Sequence, residues 1–481
     1  MNANQGSKRI VIEPVTRVEG HGKVTIQLDE QHRVTQARLH IVEFRGFERF
    51  IQGRPFWEVP VLVQRLCGIC PVSHHLAAAK AVDRLVGADE LTPTATKLRL
   101  LMHHGQFLQS HALHFFHLCS PDLLFGFDSD VAQRNVIGVA GRYPELAKQG
   151  VLLRKFGQEI IQATAGKKIH GTGAIPGGVN KNLSPAERDL FLGQMDQILG
   201  WSRSALGLAR EYTLDNLERL APFGSFDSNH LSIVRSDGAY GIYDGLLRAR
   251  DAAGKLIFDQ VDNQEYDRYI AEEVRSWSYM KFPFIRSIGP ELGWYRVGPL
   301  ARVNNCDFFD TPEAERERQG FMELTQGKPN NLTMAYHWAR MIEMLHSAEK
   351  IQELLHDSDL QGEDLVVEGE RREEAVGIIE APRGTLFHHY RINENDQITM
   401  ANLIVSTTSN NEAMNQAVRK VAEDTLDGVP EVTEGMLNGI EVAIRAYDPC
   451  LSCATHALGQ MPLRVELVDM DGNVVDSLQK G

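Results

Sequence analysis

The spacing of hydrophobic positions changes along the chain from that of strands to that of helices. Residues 8–44 alternate apolar and polar side chains, as in RIVIEPV and KVTIQLD, which predicts a small antiparallel sheet. After Pro71 the apolar positions recur at helical spacing instead. The segments predicted to be helical are residues 74–86, 94–118, 184–217, 330–356 and 410–426. Helices therefore dominate the predicted fold.

Local signals add detail to this pattern. Ser184 as N-cap, Pro185 at the first helical position and Glu187 three residues after the cap form a predicted capping box. The segment of about residues 225–295 mixes strand-like stretches with turn signals such as DAAGK, and predicts a peripheral α+β insert. Residues 385–406 predict a hairpin around NENDQ. The expected fold class is α+β, mainly α, with a core of long helices and small antiparallel sheets.

Composition and charge exclude several classes of protein. The 481 residues are 43% hydrophobic and 24% charged, which is ordinary for a globular protein. The net charge of −14 disfavours nucleic acid as a partner, because an acidic surface repels phosphate. No run of 18 apolar residues predicts a membrane span, and the first residues lack the apolar region of a secretion signal. We therefore expect a cytoplasmic protein.

Four of the six cysteines form two C-x-x-C pairs, Cys67 with Cys70 and Cys450 with Cys453. Four thiolates complete a first coordination shell, and three interpretations fit the spacing: a structural zinc site, a redox metal or cluster, and dithiol chemistry. Zinc ribbons usually close over tens of residues, whereas Cys70 and Cys450 are 380 positions apart. A site that joins both ends of the chain is expected at the centre of one body.

Six segments, two of which contain the cysteine pairs, follow one another in a fixed order. They read EPVTRVEGHGKV at 13–24, FRGFERFIQGR at 44–54, RLCGICPVSHHLAAAKAVD at 65–83, HGTGAIPGGV at 170–179, EAPRGTLFHHY at 380–390 and DPCLSCATHA at 448–457. In this order they resemble the motifs of nickel–iron hydrogenase large subunits, from the first strand to the C-terminus. Segments such as VRSWSYMKFPF and RVGPLARVN most resemble the cytoplasmic, bidirectional, NAD-linked branch.

The resemblance implies a nickel ion held by four thiolates and an iron that carries carbonyl and cyanide ligands. Cys67 and Cys450 match the terminal ligands of nickel, and Cys70 and Cys453 match the ligands that bridge to iron. Soft thiolates suit such a redox metal. The other cysteines, Cys119 and Cys306, match no motif and are expected to be packed as small apolar side chains.

Other motif residues are implied to surround the two metals. Arg383 matches the cation above their open side, and Asp448 is expected to pair with it. Thr407 matches the hydroxyl that donates to a cyanide, and Pro382 shapes the same wall. In one departure, Ser110 stands where the family usually has an acidic residue.

The resemblance also implies a proton acceptor and a third metal. Glu19 matches the carboxylate that takes protons from a terminal thiolate, and His74 matches the histidine that hydrogen-bonds a bridging sulfur. Glu48, the main-chain carbonyl of Leu403 and His456 match the ligands of a magnesium ion. Glu58 is a nearby acid without a motif. Histidines at 103, 104, 111, 114 and 117 are expected to pack and hydrogen-bond rather than to bind metal.

The glycine-rich GTGAIPGG, from Gly171, only half-resembles a dinucleotide fingerprint. It follows a predicted helix, has Pro176 at its sixth position and lacks a closing acidic residue, so it predicts a tight turn. The chain is therefore expected to bind neither NAD nor flavin, and it has no spare cysteines for iron–sulfur clusters. The implied partners are flavin-bearing, NAD-reactive diaphorase subunits together with a small iron–sulfur subunit.

These observations together predict the catalytic large subunit of a hydrogen:NAD+ oxidoreductase. Residues 1–456 form its single catalytic domain, in which H2 is split heterolytically and the proton passes through a cysteine sulfur to Glu19. Residues 457–481 read as strand, DG turn and strand, and match an extension that a maturation endopeptidase removes after His456 once nickel-insertion proteins have acted. Three alternatives remain: a hydrogenase with another soluble electron carrier, a non-catalytic relative from the core of respiratory complex I, and a structural zinc protein.

Overall fold

The computed structural model describes residues 8–41, 43, 46–455, 463–468 and 474–480. Its α-helices are α1 (Phe47–Phe50), α2 (Val59–Leu62), α3 (Pro71–Leu85), α4 (Pro93–Leu113), α5 (Ser120–Phe125), α6 (Val136–Arg142), α7 (Pro144–Ala165), α8 (Pro185–Leu192), α9 (Met195–Asp215), α10 (Leu217–Leu220), α11 (Pro299–Asn305), α12 (Pro312–Glu323), α13 (Ala335–Leu355), α14 (Ser406–Ser409), α15 (Asn411–Leu426) and α16 (Glu434–Ala446). Helix outweighs strand, which confirms the predicted fold class.

The strands form small, mostly antiparallel sheets. They are β1 (Lys8–Ile12), β2 (Gly22–Leu28), β3 (Val34–Ile41), β4 (Ala174–Ile175), β5 (Gly178–Val179), β6 (Asn229–Val234), β7 (Leu246–Arg250), β8 (Leu256–Val261), β9 (Ile270–Glu273), β10 (Phe282–Ile285), β11 (Tyr295–Arg296), β12 (Glu374–Ala381), β13 (Gly384–Ile392), β14 (Ile398–Ile404), β15 (Leu463–Val468) and β16 (Val474–Lys480). Strands β1, β2 and β3 pair antiparallel, as the alternation of residues 8–44 predicts. Strands β15 and β16 form the predicted C-terminal hairpin.

Helix α4 lies at the centre of the body and is buried along almost its whole length. It packs against α7 and α13, and its last turn continues as a π-helix over His114–Cys119. Helix α7 was not predicted. A β-carbon added to its Gly157 would lie 2.5 Å from the carbonyl oxygen of Gly105 in α4, so the two helices cross at glycines. These glycines weaken the local helical pattern but permit the close crossing.

The segment 184–217 differs from its prediction. Its capping box is present, because Ser184 accepts from the N–H of Glu187 and the Glu187 carboxylate accepts from that of Ser184. The single predicted helix is nevertheless divided into α8, α9 and α10. The first break falls at Gly193, which caps the end of α8, consistent with the low helix propensity of glycine.

The functional centre is framed by α3 and the sheet β12–β13–β14. The loop between β13 and β14 is the predicted hairpin, and β12 extends the sheet on its other side. Pro382 and Arg383 form the two-residue turn between β12 and β13. Glycine is required at Gly384, because an added β-carbon would lie 2.2 Å from Val297.

The insert of residues 225–295 contains β6 to β10 and has the predicted strand content. It is not peripheral, however. Leu231, Ile233 and Leu247 share one buried apolar cluster with Ile378 and Phe387 of the β12–β13 hairpin. Burial of these side chains stabilises the assembly by roughly 1.5–3 kcal/mol each, so the insert belongs to the same body.

Two negative predictions concern other parts of the chain. The segment GTGAIPGG follows α7 and forms a tight hairpin of β4 and β5, with Gly177 at positive φ in its turn. It is therefore not the strand–turn–helix of a dinucleotide site. Among the helices of the described residues, none combines the length and apolarity that crossing a bilayer requires.

Candidate metal centre

The fold brings the two cysteine pairs together. Cys67 ends a short helical turn, Cys70 precedes the first residue of α3, and Cys450 precedes the turn that contains Cys453. The sulfurs of Cys67 and Cys450 are 3.2 Å apart, those of Cys70 and Cys453 are 3.8 Å apart, and all four lie within 4.8 Å of one another. All four side chains are buried and free of disulfide bonds. This spacing suits ligands of one metal ion.

The local electrostatics show why this cluster calls for cations. The main-chain N–H groups of Ile69 and Cys70 both donate to the sulfur of Cys67 at 3.2 Å. The neighbouring sulfurs, that of Cys450 first, and a hydrogen bond from His74 hold the pKa of Cys70 well below its usual range. Burial raises the pKa of Cys450 and Cys453. Four thiolates can therefore coexist here only if bound metal offsets their charge.

A small cavity of about 240 Å³ opens beside the sulfurs. Its walls are Cys70, Cys450 and Cys453, the polar side chains His74, Ser406, Thr407 and Arg383, and the apolar side chains Ala381, Leu386 and Val405. Thr407 Oγ1 accepts from the main-chain N–H of Cys450 at 2.9 Å, so its own hydroxyl proton is available to another acceptor. The cavity gives a second group room beside the sulfurs, which a closed four-cysteine zinc site does not need.

Arg383 is buried against Asp448, as expected from the sequence. Its Nη2 donates to Asp448 Oδ1 at 3.0 Å and its Nε to the Asp448 carbonyl at 2.5 Å. Its Nη1 meets only Ser110 Oγ, at 3.4 Å, where the family usually has an acid. Burial alone would lower the pKa of Arg383, but Asp448 and the cysteines raise it. Burial raises the pKa of Asp448 to about 6.

Glu19 reaches the cluster from the opposite end of the sequence. Its Oε2 lies 3.0 Å from the sulfur of Cys450 and accepts from the main-chain N–H of Ser452 at 3.2 Å. Its Oε1 accepts from the Ser452 hydroxyl, and its carbonyl accepts from the N–H of Leu451 at 2.9 Å. A β-carbon on Gly20 would lie 2.7 Å from Ser452 N, so glycine permits this approach. Glu19 is half-buried and therefore links the buried sulfurs to the outside.

His74 lies one helical turn after Cys70 and faces the sheet. Its Nδ1 lies 3.2 Å from His388 Nε2, and His388 Nδ1 lies 2.5 Å from the hydroxyl of Tyr390. This chain of hydrogen bonds fixes the ring that contacts the Cys70 sulfur. His388 and Tyr390 were not predicted as part of the site; the His388 side of the contact lies in the quoted motif EAPRGTLFHHY.

Part of the expected magnesium site is also formed. Glu48 is buried, and its Oε1 accepts from the main-chain N–H of Leu403 at 2.9 Å. Lys281 Nζ lies 3.4 Å from the same oxygen and 3.3 Å from Glu272. Burial raises the pKa of Glu48 to about 7, against the opposing effect of Lys281. The contact of Leu403 is made by its N–H, and the third expected ligand, His456, lies outside the described residues.

The remaining candidates are accounted for by packing. Glu58 is exposed and does not reach the cluster. Burial raises the pKa of Cys119 and of Cys306, as expected for packed thiols. Among the helix α4 histidines, His104 and His111 contact side chains of α13, and His114 contacts a main-chain carbonyl near the end of α16. His114, Cys119 and His337 approach within 4.8 Å of one another, but Arg340 lies beside them and opposes a bound cation.

Buried soft thiolates, an adjacent cavity, a fixed cation and a nearby carboxylate define a metal-dependent oxidoreductase site. Comparison with known proteins identifies the class more closely. A family model described as nickel-dependent hydrogenase matches residues 45–128 and 221–456, and one described as HoxL-like matches residues 9–44. The chain belongs to the nickel-dependent hydrogenase family.

Individual relatives agree with this assignment. The chain is 49% identical over 484 residues to the beta subunit of the NAD-reducing hydrogenase HoxS of Cupriavidus necator, covering 98% of this chain and 99% of the relative. It is 42% identical to an F420-non-reducing hydrogenase of Methanothermobacter marburgensis, covering 97% and 99%. A crystal structure of an NAD+-reducing [NiFe]-hydrogenase superposes with a TM-score of 0.92 at 57% identity, covering 94% of this chain and all of that one. The protein is thus a hydrogenase.

Proposed function

We propose that this protein catalyses reversible heterolytic cleavage of H2 at a nickel–iron centre and passes the electrons through a partner iron–sulfur subunit to NAD+ at a flavin module. The observation that carries the proposal is the cavity beside the sulfurs. Cys70 and Cys453, the expected bridging ligands, line it together with Cys450, whereas Cys67 does not. A nickel ion fits among four sulfurs, and an iron with small carbonyl and cyanide ligands fits the adjacent space.

The residues around the cavity fit those ligands chemically. Arg383 brings a fixed positive charge, and Thr407 keeps a hydroxyl proton available for a cyanide nitrogen. Ala381, Leu386 and Val405 offer an apolar wall for a carbonyl ligand and keep water out. The bound metals supply the redox chemistry that converts H2 into two protons and two electrons.

The chain itself handles the protons. The sulfur of Cys450 is a base when deprotonated, and its contact with Glu19 at 3.0 Å gives the proton a direct acceptor. Ser452 binds both oxygens of that carboxylate, which holds it against the sulfur. Because Glu19 is half-buried, the proton can continue outward from there. Asp448 keeps the Arg383 guanidinium in place through two hydrogen bonds.

The identity of the electron acceptor rests on similarity. The relatives named as NAD-reducing are 49% identical in the curated protein and 57% identical in the solved structure. Both values exceed the 42% found for the F420-non-reducing relative, which favours NAD+ through diaphorase subunits. That second group supports the alternative of another soluble carrier. A cytoplasmic location follows from the proposed use of NAD+.

Two further features belong to the proposal. Magnesium would be held by Glu48, by the main-chain carbonyl of Leu403 and by His456, with the nearby Lys281 and Glu272 adjusting the charge. The segment 457–481 would be removed by an endopeptidase after nickel insertion. The match to the nickel-dependent hydrogenase model ends at residue 456, which supports a boundary there.

Infrared spectroscopy with metal analysis on the purified complex tests the centre. We expect nickel and iron in equal amounts, together with carbonyl and cyanide stretching bands, and loss of both signals in a Cys70→Ser variant. A Cys119→Ser variant is the matched control, because that buried thiol lies outside the cluster, and it should retain them. Zinc alone, or the absence of the bands in active enzyme, would refute the proposal. Hydrogen-dependent reduction of NAD+, compared with artificial acceptors, tests the partner modules.

A further inference from the structure

A fully buried arginine, Arg302, lies behind the turn that carries Arg383. It projects from α11 within the RVGPLARVN segment, to which the proposed function assigns no role. Its Nε and Nη2 donate to the two oxygens of Glu343 at 2.5 and 2.6 Å. Its Nη1 donates to Glu380 Oε2 at 2.8 Å. Three of its five N–H groups are thus used by carboxylates.

The other two N–H groups of Arg302 bind the main chain of the turn. Nη1 donates to the Ala381 carbonyl at 2.8 Å, and Nη2 donates to the Pro382 carbonyl at 3.0 Å. These are the two carbonyls that immediately precede Arg383. A buried carbonyl without a partner costs about 1–3 kcal/mol, so this backbone conformation depends on the guanidinium.

The support extends to both sides of the turn. Glu380 Oε1 accepts from the Thr385 hydroxyl at 2.8 Å, which ties the two strands that flank the turn. A β-carbon on Gly298, at the start of α11, would lie 2.8 Å from the Arg383 carbonyl, so α11 also touches the far end of the turn. The helix that carries Arg302 therefore contacts each peptide unit from Ala381 to Arg383.

The carboxylate partner of Arg302 is coupled to the helix on the other side of the cavity. Glu343 Oε2 lies 3.0 Å from His111 Nε2 in α4, and the residue before it, Ser110, meets the Arg383 guanidinium. Arg302 and its surroundings hold the pKa of Glu343 down to about 2, against the opposing effect of burial. Glu343 is therefore charged throughout the neutral range and holds Arg302 in place.

We infer that Arg302 is a positioning residue for the hydrogenase reaction: its planar fork fixes the Pro382–Arg383 turn and thereby the direction of the Arg383 guanidinium at the cavity. The inference rests on the role proposed above for Arg383. Lysine cannot replace Arg302, because an ammonium has three tetrahedrally arranged donors and cannot bind two carboxylates and two carbonyls in one plane.

The test compares Arg302→Lys with a matched control, Arg99→Lys. Arg99 is equally buried, binds both oxygens of Asp83, and donates to the carbonyls of Ile175 and Gly178 in the small β4–β5 hairpin. It does not line the cavity. Both variants lose the same kind of bidentate and carbonyl contacts, so a general loss of stability affects both.

Three quantities are measured on the purified complex: turnover with metal content, the carbonyl and cyanide stretching frequencies, and the Arg383–Asp448 distance in a crystal structure. For Arg302→Lys we expect retained nickel and iron, shifted frequencies, a moved Arg383 and kcat lowered by roughly tenfold to a hundredfold, the scale of a misplacement of about 1 Å. For Arg99→Lys we expect wild-type turnover and frequencies. Wild-type turnover and frequencies in Arg302→Lys would overturn the inference.

Two further variants keep the result decisive. If Arg302→Lys does not accumulate as a folded protein, Glu343→Gln loosens Arg302 while keeping its shape, and should shift the same frequencies by less; unshifted frequencies there count against the inference. Arg383→Lys separates the two levels of argument. Unchanged turnover in Arg383→Lys would refute the proposed role of Arg383 itself, whereas a slow Arg383→Lys with a normal Arg302→Lys would refute only the role of Arg302.

Discussion

Replacement of Glu19 by Gln should block proton transfer while leaving the metal centre assembled. Glutamine has nearly the same shape and can still accept from the main-chain N–H of Ser452, which lies 3.2 Å from the present carboxylate. The Ser452 hydroxyl can rotate to accept from the new amide instead of donating. We therefore expect a structural cost of only about 1 kcal/mol, typical of one altered hydrogen bond.

The chemical cost should be much larger. An amide cannot take the proton from the Cys450 sulfur, which lies 3.0 Å away. Proton transfer by a positioned group is typically worth about 10²- to 10⁴-fold in rate, which corresponds to roughly 3–5 kcal/mol of barrier. Because this exceeds the structural cost several-fold, activity and stability should separate clearly. Glu19→Asp keeps the acid but shortens the reach, so an intermediate rate is expected.

The assay is H/D exchange between H2 and deuterated water, measured beside nickel content and melting temperature. Ser452→Ala is the control for orientation, because it removes a partner of Glu19 but leaves the acid; we expect a smaller loss, of about tenfold. Near-normal exchange in a metal-replete Glu19→Gln variant would refute the reasoning, since it would show that protons leave by another route.

Three other predictions follow from the same structure. Arg383→Lys should keep the metals but raise the barrier to H2 oxidation by roughly 2–4 kcal/mol, because the planar fork is lost; unchanged turnover would contradict this. A chain truncated after His456 should take up little nickel, and intact-mass analysis of active enzyme should show a C-terminus at His456; full activity with residues to 481 would contradict it. Burial lowers the pKa of His230 to about 3, so the unfolded state binds its proton first and stability falls as the pH drops below about 6.5. At pH 5 this loss is about 2 kcal/mol, which a His230→Gln variant should lack in urea unfolding; an equal loss in both proteins would exclude the effect.

The predictable parts of the fold are those that local periodicity determines. Alternation in residues 8–44 and helical spacing in residues 74–86 both produced elements within a few residues of the observed bounds. Helix α7 was missed because its packing depends on the crossing of Gly105 and Gly157, which is a property of two helices together. The insert of residues 225–295 was misjudged as peripheral because apolar strands look the same whether they cover a core or form one.

The site divides along the same line. Residues that bind metal or substrate carry short motifs, so the sequence located both cysteine pairs, Glu19 and Arg383, which the fold indeed brings into one cluster. Residues that support them carry no such signal. A buried arginine such as Arg302 cannot be distinguished in sequence from the surface arginines that outnumber it, because its burial depends on two carboxylates contributed by distant segments. An isolated buried charge would be costly, so the fold must supply all its partners at once, and only the assembled structure reveals them.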